Sequence, residues 1–171
     1  MASFGDRIIG AMKLDAATYE EVEADRTATG QAMAVVILAS LSSGLGVMRI
    51  LGPAGVIGGT LSALVAWFVW ALLTYAIGTR ILPEPQTEAT VGQLLRTTGF
   101  AAAPGLIRVL AAIPLLGWLV AIVASVWMLA AMIVAVRQAL DYTSTLRAVG
   151  VCVIGWLVYL ATALLFLPFA R

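Results

Sequence analysis

The 171-residue chain contains no histidine and a single cysteine, Cys152, which lies in an apolar block. One cysteine cannot form an internal disulfide, and a zinc site cannot be assembled without a cluster of Cys and His residues. The sequence also lacks a phosphate-binding loop and a dinucleotide-binding fingerprint. Its 10 basic and 9 acidic residues nearly balance, so no nucleic-acid surface is indicated. We therefore predict no metal site, no cofactor and no nucleic-acid partner.

Groups that could carry out catalysis or ion coupling are scarce in the apolar part of the chain. Ser40, Ser42 and Ser43 have no histidine to act as a base, and the only lysine, Lys13, lies near the N-terminus. Every Asp and Glu lies outside the apolar blocks, whereas ion-coupled transporters usually carry ionisable residues within the membrane. The sequence therefore predicts no catalytic residues and a protein that is not an enzyme.

What the chain has in abundance is apolar residues, which form about five long blocks separated by short charged stretches. Hydrophobic residues make up 62% of the chain and charged residues 11%, and the mean hydropathy is +1.03. About 20 apolar residues in a helix cross the ~30 Å hydrocarbon core of a bilayer. We predict an all-α fold, in which 31–171 is a polytopic membrane bundle of about five transmembrane helices. The predicted spans are about 31–51, 54–78, 91–112, 118–136 and 146–169.

The segment 1–30 is predicted to be a cytoplasmic N-terminal arm of two short amphipathic helices. Apolar residues recur at helical spacing from Phe4 to Met12, and Ser3 and Asp15 are suited to cap the two helices. The arm either binds the membrane surface or a partner, or is a solvated segment resting on the membrane. The acidic residues of the arm and of the loop after the second span are predicted to be solvated: Glu20, Glu21, Glu23, Asp25, Glu84 and Glu88.

The basic residues predict the orientation in the membrane, because short cytoplasmic loops are enriched in Lys and Arg. With the N-terminus inside, the outer segments carry only Arg49 and Arg171, and the inner segments carry Arg7, Lys13, Arg26, Arg80, Arg96, Arg137 and Arg147. We predict a cytoplasmic N-terminus and an outer C-terminus. Arg far outnumbers Lys, and Ala, Val, Leu and Gly are abundant, which is typical of a GC-rich bacterial genome. The predicted location is therefore the bacterial inner membrane.

Small residues at four-residue spacing predict the faces on which the helices pack, since helices in lipid associate by close approach. Gly55, Gly59 and Ala63 form such a face on the second span, and Ser40 and Gly44 lie four apart on the first. This face either packs within the bundle or binds a partner, which is another membrane protein or a second copy of the chain. Membrane lipids are the other expected partner.

Arg108 is the one charged residue predicted to lie deep within a span. Its insertion near the bilayer centre costs about 2.5–3.5 kcal/mol, and no span offers an acidic partner. It either snorkels from the outer end of the third span to the headgroups, or forms an anion or lipid-headgroup site. The same span is predicted to begin at Val91, because Thr90 and Gln93 match a capping box, and to kink at Pro104.

The run from Gly99 to Pro104, GFAAAP, follows a polar loop and opens the third span. It resembles the glycine–aromatic–x–x–x–proline signature of the Yip family, the Ypt/Rab-GTPase-interacting membrane proteins and their bacterial relatives. Five spans with a cytoplasmic N-terminus also fit that family, and the resemblance covers nearly the whole chain. It implies no catalytic residues, and it implies bending and packing roles for Gly99, Phe100 and Pro104.

The chain departs from the eukaryotic members of the family just before the first span. Those members carry an acidic–leucine–aromatic–glycine–proline motif there, whereas this chain has DRTATGQ at 25–31. Binding of a GTPase is therefore not expected.

The leading hypothesis is a non-enzymatic accessory or scaffold protein that acts through protein or lipid contacts. It is motivated by the predicted spans, the small-residue faces and the lack of a catalytic set. The alternative is a small transporter or channel, with a path lined by Arg108 and the kink at Pro104. Such a path requires Arg108 to face inward.

Overall fold

The structure is a computed structural model that describes residues 2–113 and 115–166, without the side chains of 46, 47, 49–51 and 162–166. Every regular element within these ranges is helical, which confirms the predicted all-α class. The elements are α1 (Phe4–Met12), α2 (Ala16–Ala24), α3 (Ala28–Arg80), α4 (Val91–Phe100), a 3₁₀ helix (Ala103–Ala112), α5 (Gly117–Ala139) and α6 (Thr145–Phe166).

Among the residues that the structure describes, three helical segments are long and apolar enough to cross a membrane, as expected for a membrane bundle. They are Ala28–Leu45, Gly52–Arg80 and Gly117–Ala139. In α6, which runs to Phe166, the residues with described side chains form a further apolar stretch over Thr145–Ala161. The predicted end of the fifth span at 169 and the predicted outer residue Arg171 lie outside the described residues, as does the side chain of Arg49.

α3 folds back on itself as an antiparallel hairpin. Gly52 has φ 63° and ψ −178°, a conformation that glycine tolerates and other residues adopt only with strain. Pro53 follows, and its fixed φ suits the first turn of the second half. Ser40 Oγ lies 3.2 Å from Thr60 Oγ1 across the hairpin. A Cβ on Gly44 would lie 2.9 Å from a valine of the other half, so the halves approach closely beside the turn.

The predicted third span is not one continuous helix. α4 ends at Phe100 and a 3₁₀ helix begins at Ala103, where the sequence predicts a kinked α-helix over 91–112. The cause is Pro104, which has no N–H to donate to the Phe100 carbonyl and whose ring clashes with that carbonyl in an α-helix. The α-helix therefore stops four residues before the proline, and the chain continues in the tighter 3₁₀ form.

The N-terminal arm packs against the other helices of the bundle. Tyr19 of α2 is fully buried in the same apolar cluster as Phe100 of α4. The rings of Phe4 and Phe100 meet edge to face, with their centroids 6.4 Å apart. Trp127 of α5 donates from Nε1 to the carbonyl oxygen of Met12 over 2.7 Å. α1 and α2 are therefore part of the core.

Arg7 joins three segments of the chain from inside this core. Its side chain is 2% exposed and donates to Glu21 over 2.9 Å, to Asp25 over 2.8 Å and to Gln31 over 2.9 Å. Hydrogen bonds from Thr27 and Arg7 lower the pKa of Asp25 to about 2. The prediction that Glu21 and Asp25 belong to a solvated face is wrong, because both carboxylates are paired with a buried cation.

Arg96 of α4 binds the C-terminal end of α2. Its guanidinium donates to the backbone carbonyls of Val22 and Glu23, at the negative end of the helix dipole. The Glu23 carboxylate is buried and accepts a hydrogen bond from Gln93 over 2.8 Å. Burial, assisted by the charge of Asp141, raises the pKa of Glu23 to about 7. The prediction of a solvated Glu23 is therefore wrong as well.

Glu84 ties the loop after α3 to the start of α6. Its buried carboxylate accepts hydrogen bonds from the Thr143 N–H over 3.0 Å, the Thr143 hydroxyl over 2.8 Å and the Ser144 N–H over 3.3 Å. Arg147 lies 3.5 Å away as an ion pair. These hydrogen bonds, above all the one from the Thr143 N–H, lower the pKa of Glu84 to about 2. Glu88 is exposed, as predicted, and Glu84 is not.

Arg7→Met is expected to release the arm, because it leaves the carboxylates of Glu21 and Asp25 without their cation. The loss of stability is expected to be smaller than for a fully buried ion pair, because Glu21 is 34% exposed and water can solvate its carboxylate. Hydrogen–deuterium exchange over α1 and α2 measures the release. Arg26→Met, at an exposed arginine of the same arm, is the control. Equal amide protection in the two variants would contradict the role of Arg7.

Docking of the arm is expected to weaken as the pH rises through about 7. The pKa of Glu23 is about 7 in the docked arm and 4.5 as its ordinary value, so the docked state holds the extra proton between these values. The stabilisation is complete below 4.5 and is lost as the pH rises through the docked value. Exchange of α2 amides at low and high pH, corrected for intrinsic rates, measures this change.

Two variants isolate the contribution of Glu23 to this pH response. Glu23→Gln is expected to remove it, because the amide does not titrate. Glu88→Gln, at an exposed carboxylate in the loop before α4, is expected to keep it. An unaltered pH response in Glu23→Gln would show that another group titrates.

Candidate functional site

A cavity of about 690 Å³ lies between the helices of the bundle and is open to its surface at exposed residues such as Gly59 and Trp156. It is situated between the two halves of α3, and the 3₁₀ helix, α5 and α6 complete its wall. Its volume falls within the ~300–1,000 Å³ that is typical of small-ligand sites. Most of the wall is apolar.

The small-residue face predicted from the sequence lines this cavity. Ser40, Gly44, Gly55, Gly59 and Ala63 all contribute to the wall. The face is closed near the turn of α3, where Gly44 contacts the other half of the hairpin. At Gly59, by contrast, no described atom lies within 4 Å of the position that a Cβ would take. The face therefore has an open part, around Gly59, that the described helices do not fill.

Arg108, on the 3₁₀ helix, is directed into the cavity. Its Nη1 lies 3.5 Å from Oγ of Ser43 on α3, and its Nη2 donates to Oγ of Ser125 on α5 over 3.1 Å. Its Nε is buried and has no acceptor among the described atoms. No Asp or Glu occurs among the described residues that line the cavity. The cavity thus holds one positive charge whose described side-chain partners are neutral hydroxyls.

The part of the cavity farther from the α3 turn is lined by side chains that sequence reasoning did not assign to a site. Trp67 donates from Nε1 to the Leu95 carbonyl over 3.1 Å, which fixes its ring. Nε1 of Trp70 is buried without an acceptor among the described atoms. Met128 and Met132 of α5 add flexible apolar surface. No pattern in the sequence separates these residues from lipid-facing ones.

Gly99, Phe100 and Pro104 are close to the cavity but are not among its lining residues. Gly99 lies against α3, where an added Cβ would be 2.7 Å from Cβ of Ala32 and 3.1 Å from its carbonyl oxygen. Phe100 is buried against α1, and Pro104 is buried in the first turn of the 3₁₀ helix. The three residues therefore determine the path of the segment that carries Arg108 into the cavity.

Gly99→Ala is expected to destabilise the protein by about 1–3 kcal/mol, the usual cost of overpacking, because the obstructing atoms include backbone. Thermal unfolding in mild detergent measures the change. Gly58→Ala, in a helix but with no described atom within 4 Å of its Cβ position, is the control. It is expected to be neutral or stabilising, since Ala is the better helix former. Equal stabilities of the two variants would mean that α4 and α3 can separate at no cost.

Comparison with known proteins agrees with the resemblance noted in the sequence. The family model described as the Yip1 domain matches residues 10–166. No curated protein and no solved structure matches the chain. The matched residues begin in α1 and run to the end of α6, so they include the cavity and the GFAAAP segment. Over this length, which is most of the sequence, the chain belongs to the Yip family of membrane proteins through its Yip1 domain.

Proposed function

We propose that this Yip-family protein is a non-enzymatic accessory or scaffold protein, which acts through contacts with lipid and with a second membrane protein. The observation that carries the proposal is the cavity. Its wall is mostly apolar, and the partners of Arg108 in it are the hydroxyls of Ser43 and Ser125. Such a wall suits hydrocarbon better than a hydrated ion or a polar solute. The family itself is one of non-enzymatic membrane proteins, which supports the same reading.

We further propose five crossings of a bacterial inner membrane, with the arm in the cytoplasm. Tyr142 donates to the carbonyls of Gly78 and Leu82, and Gln138 donates to Glu20, so the C-terminal ends of α3 and α5 lie on the same side as the arm. This arrangement is consistent with α4 and the 3₁₀ helix together forming the third crossing. Broken backbone at membrane depth is tolerated where protein covers it. The excess of basic residues on the arm side supports a cytoplasmic placement.

The partner protein, a different membrane protein or a second copy of this chain, is proposed to approach the open part of the small-residue face. Gly59 and Ala63 leave the backbone of α3 accessible there. The second half of α3 is also the least covered of the three long segments, with 6% of its apolar window buried. A GTPase is not proposed as the partner, because the arm that would carry its binding motif has a different sequence at 25–31.

A small transporter or channel is the second candidate. One observation favours it, which is that Arg108 faces inward into a cavity beside the break at Pro104. The apolar wall and the lack of a carboxylate among its described residues weigh against coupled transport. We therefore rank it below the accessory role.

Purification of the tagged protein from its native membranes in mild detergent tests the accessory role. A membrane protein is expected to co-purify in stoichiometric amount and to be lost from Gly59→Leu, because the added side chain fills the close-approach surface. Gly58→Leu is the matched control, since it lies one residue away and also has no described neighbour within 4 Å of its Cβ position. It is expected to retain the companion.

The opposite results would favour transport. A protein that purifies alone, and that supports solute flux into liposomes which Arg108→Ala abolishes, would overturn the accessory role. Loss of the companion from both glycine variants would instead place the contact outside the face at Gly59.

A further inference from the structure

We propose that the cavity binds one anionic phospholipid, with its phosphate at Arg108 and one acyl chain along the apolar wall. The inference rests on the proposed function, because it specifies which lipid contact the protein makes and where. Three features carry the inference, namely the charge, the hydrogen-bonding capacity and the length of the cavity.

The positive charge of Arg108 in the cavity favours the binding of an anion. Arg108 is half-buried and forms no ion pair with a described residue, and a partly buried charge without a counter-ion is costly. Its described side-chain partners, Ser43 and Ser125, are neutral. A phosphate supplies the missing negative charge, and guanidinium–phosphate pairs form short, charge-assisted hydrogen bonds.

One donor group of Arg108 has no acceptor among the described atoms. This group is Nε, and it shares one edge of the guanidinium with Nη2, which contacts the Ser125 hydroxyl. Two parallel N–H groups on one edge match two oxygens of a phosphate. Ser43 donates its own hydroxyl to the Ala39 carbonyl over 3.0 Å. Its oxygen lies 3.5 Å from Nη1, which is a long and therefore weak hydrogen bond. A phosphate therefore satisfies the arginine better than the serines do.

The length of the cavity and its apolar wall suit a hydrocarbon chain. Along the second half of α3 the wall runs from Gly55 to Trp70, about 22 Å at 1.5 Å per residue. This distance is comparable with one extended acyl chain. A free phosphate would leave the apolar wall uncovered, so a phospholipid fits both parts of the cavity.

The test measures stabilisation of the purified full-length chain by added lipid, read as the shift in thermal unfolding in mild detergent. The probes are phosphatidylglycerol, phosphatidylcholine and inorganic phosphate alone. Phosphatidylglycerol is expected to raise Tm in a saturable way, and the other two are expected to have little effect. Arg108→Gln is expected to weaken the apparent affinity for phosphatidylglycerol at least tenfold, as loss of a charge-assisted pair implies. Arg26→Gln, at an exposed arginine, is expected to leave it unchanged.

Three results would overturn the proposal. Equal stabilisation of wild type by phosphatidylglycerol and phosphatidylcholine would mean that no headgroup is recognised. Stabilisation by inorganic phosphate equal to that by phosphatidylglycerol would identify a site for a free anion. Equal losses in Arg108→Gln and Arg26→Gln would assign the effect to general surface charge.

A second variant keeps the test decisive if Arg108→Gln does not fold. Arg108→Lys retains the charge but not the two-donor edge, and it is expected to lower the affinity for phosphatidylglycerol while preserving some preference over phosphatidylcholine. An affinity equal to that of wild type would overturn the proposed phosphate geometry. The co-purification experiment is independent of this one. A partner protein can be found even if the lipid does not bind at Arg108, and the lipid can bind there even if no partner protein co-purifies.

Discussion

The architecture depends on one steric constraint, the incompatibility of Pro104 with a helix that continues from Phe100. The α-helix that starts at Val91 must stop there, and its end at Phe100 is buried against other parts of the protein. α1 supplies part of this cover, with Phe4 against Phe100, and α3 supplies more at Gly99. The arm thus covers the break, and the segment after the break is free to carry Arg108 inward.

Local features of the fold could be predicted from the sequence because they depend on neighbouring residues. Ser3 and Asp15 cap α1 and α2, and the Thr90–Gln93 capping box starts α4, all as predicted. Which charged side chains are buried and paired could not be predicted in this way. Arg7 binds acceptors 14 to 24 positions away, and a buried ion-pair network has the same sequence pattern as a solvated acidic face.

The candidate site was predictable only in its separate parts. The spacing of small residues predicted the face that contains Gly59, and Arg108 was predicted as the one charged residue deep within a predicted span. Nothing in the sequence placed them around one cavity. Ser43 lies 65 positions from Arg108 and Ser125 lies 17 positions from it, on two other helices. The predicted α-helix over 91–112 would also have rotated Arg108 to a different direction from the 3₁₀ helix, which turns three residues per turn.

That 3₁₀ helix has a mechanical consequence. Its ten residues extend about 20 Å, whereas the same residues would extend about 15 Å as an α-helix. The segment therefore holds about 5 Å of extra length, in a hydrogen-bonding pattern that is rarely sustained beyond three or four residues. Rewinding even part of it would draw the start of α5 toward the arm and turn the guanidinium of Arg108 about the helix axis. A change from 3₁₀ helix to α-helix in this segment, with no movement of the α3 hairpin, would thus be enough to alter which side chains line the cavity.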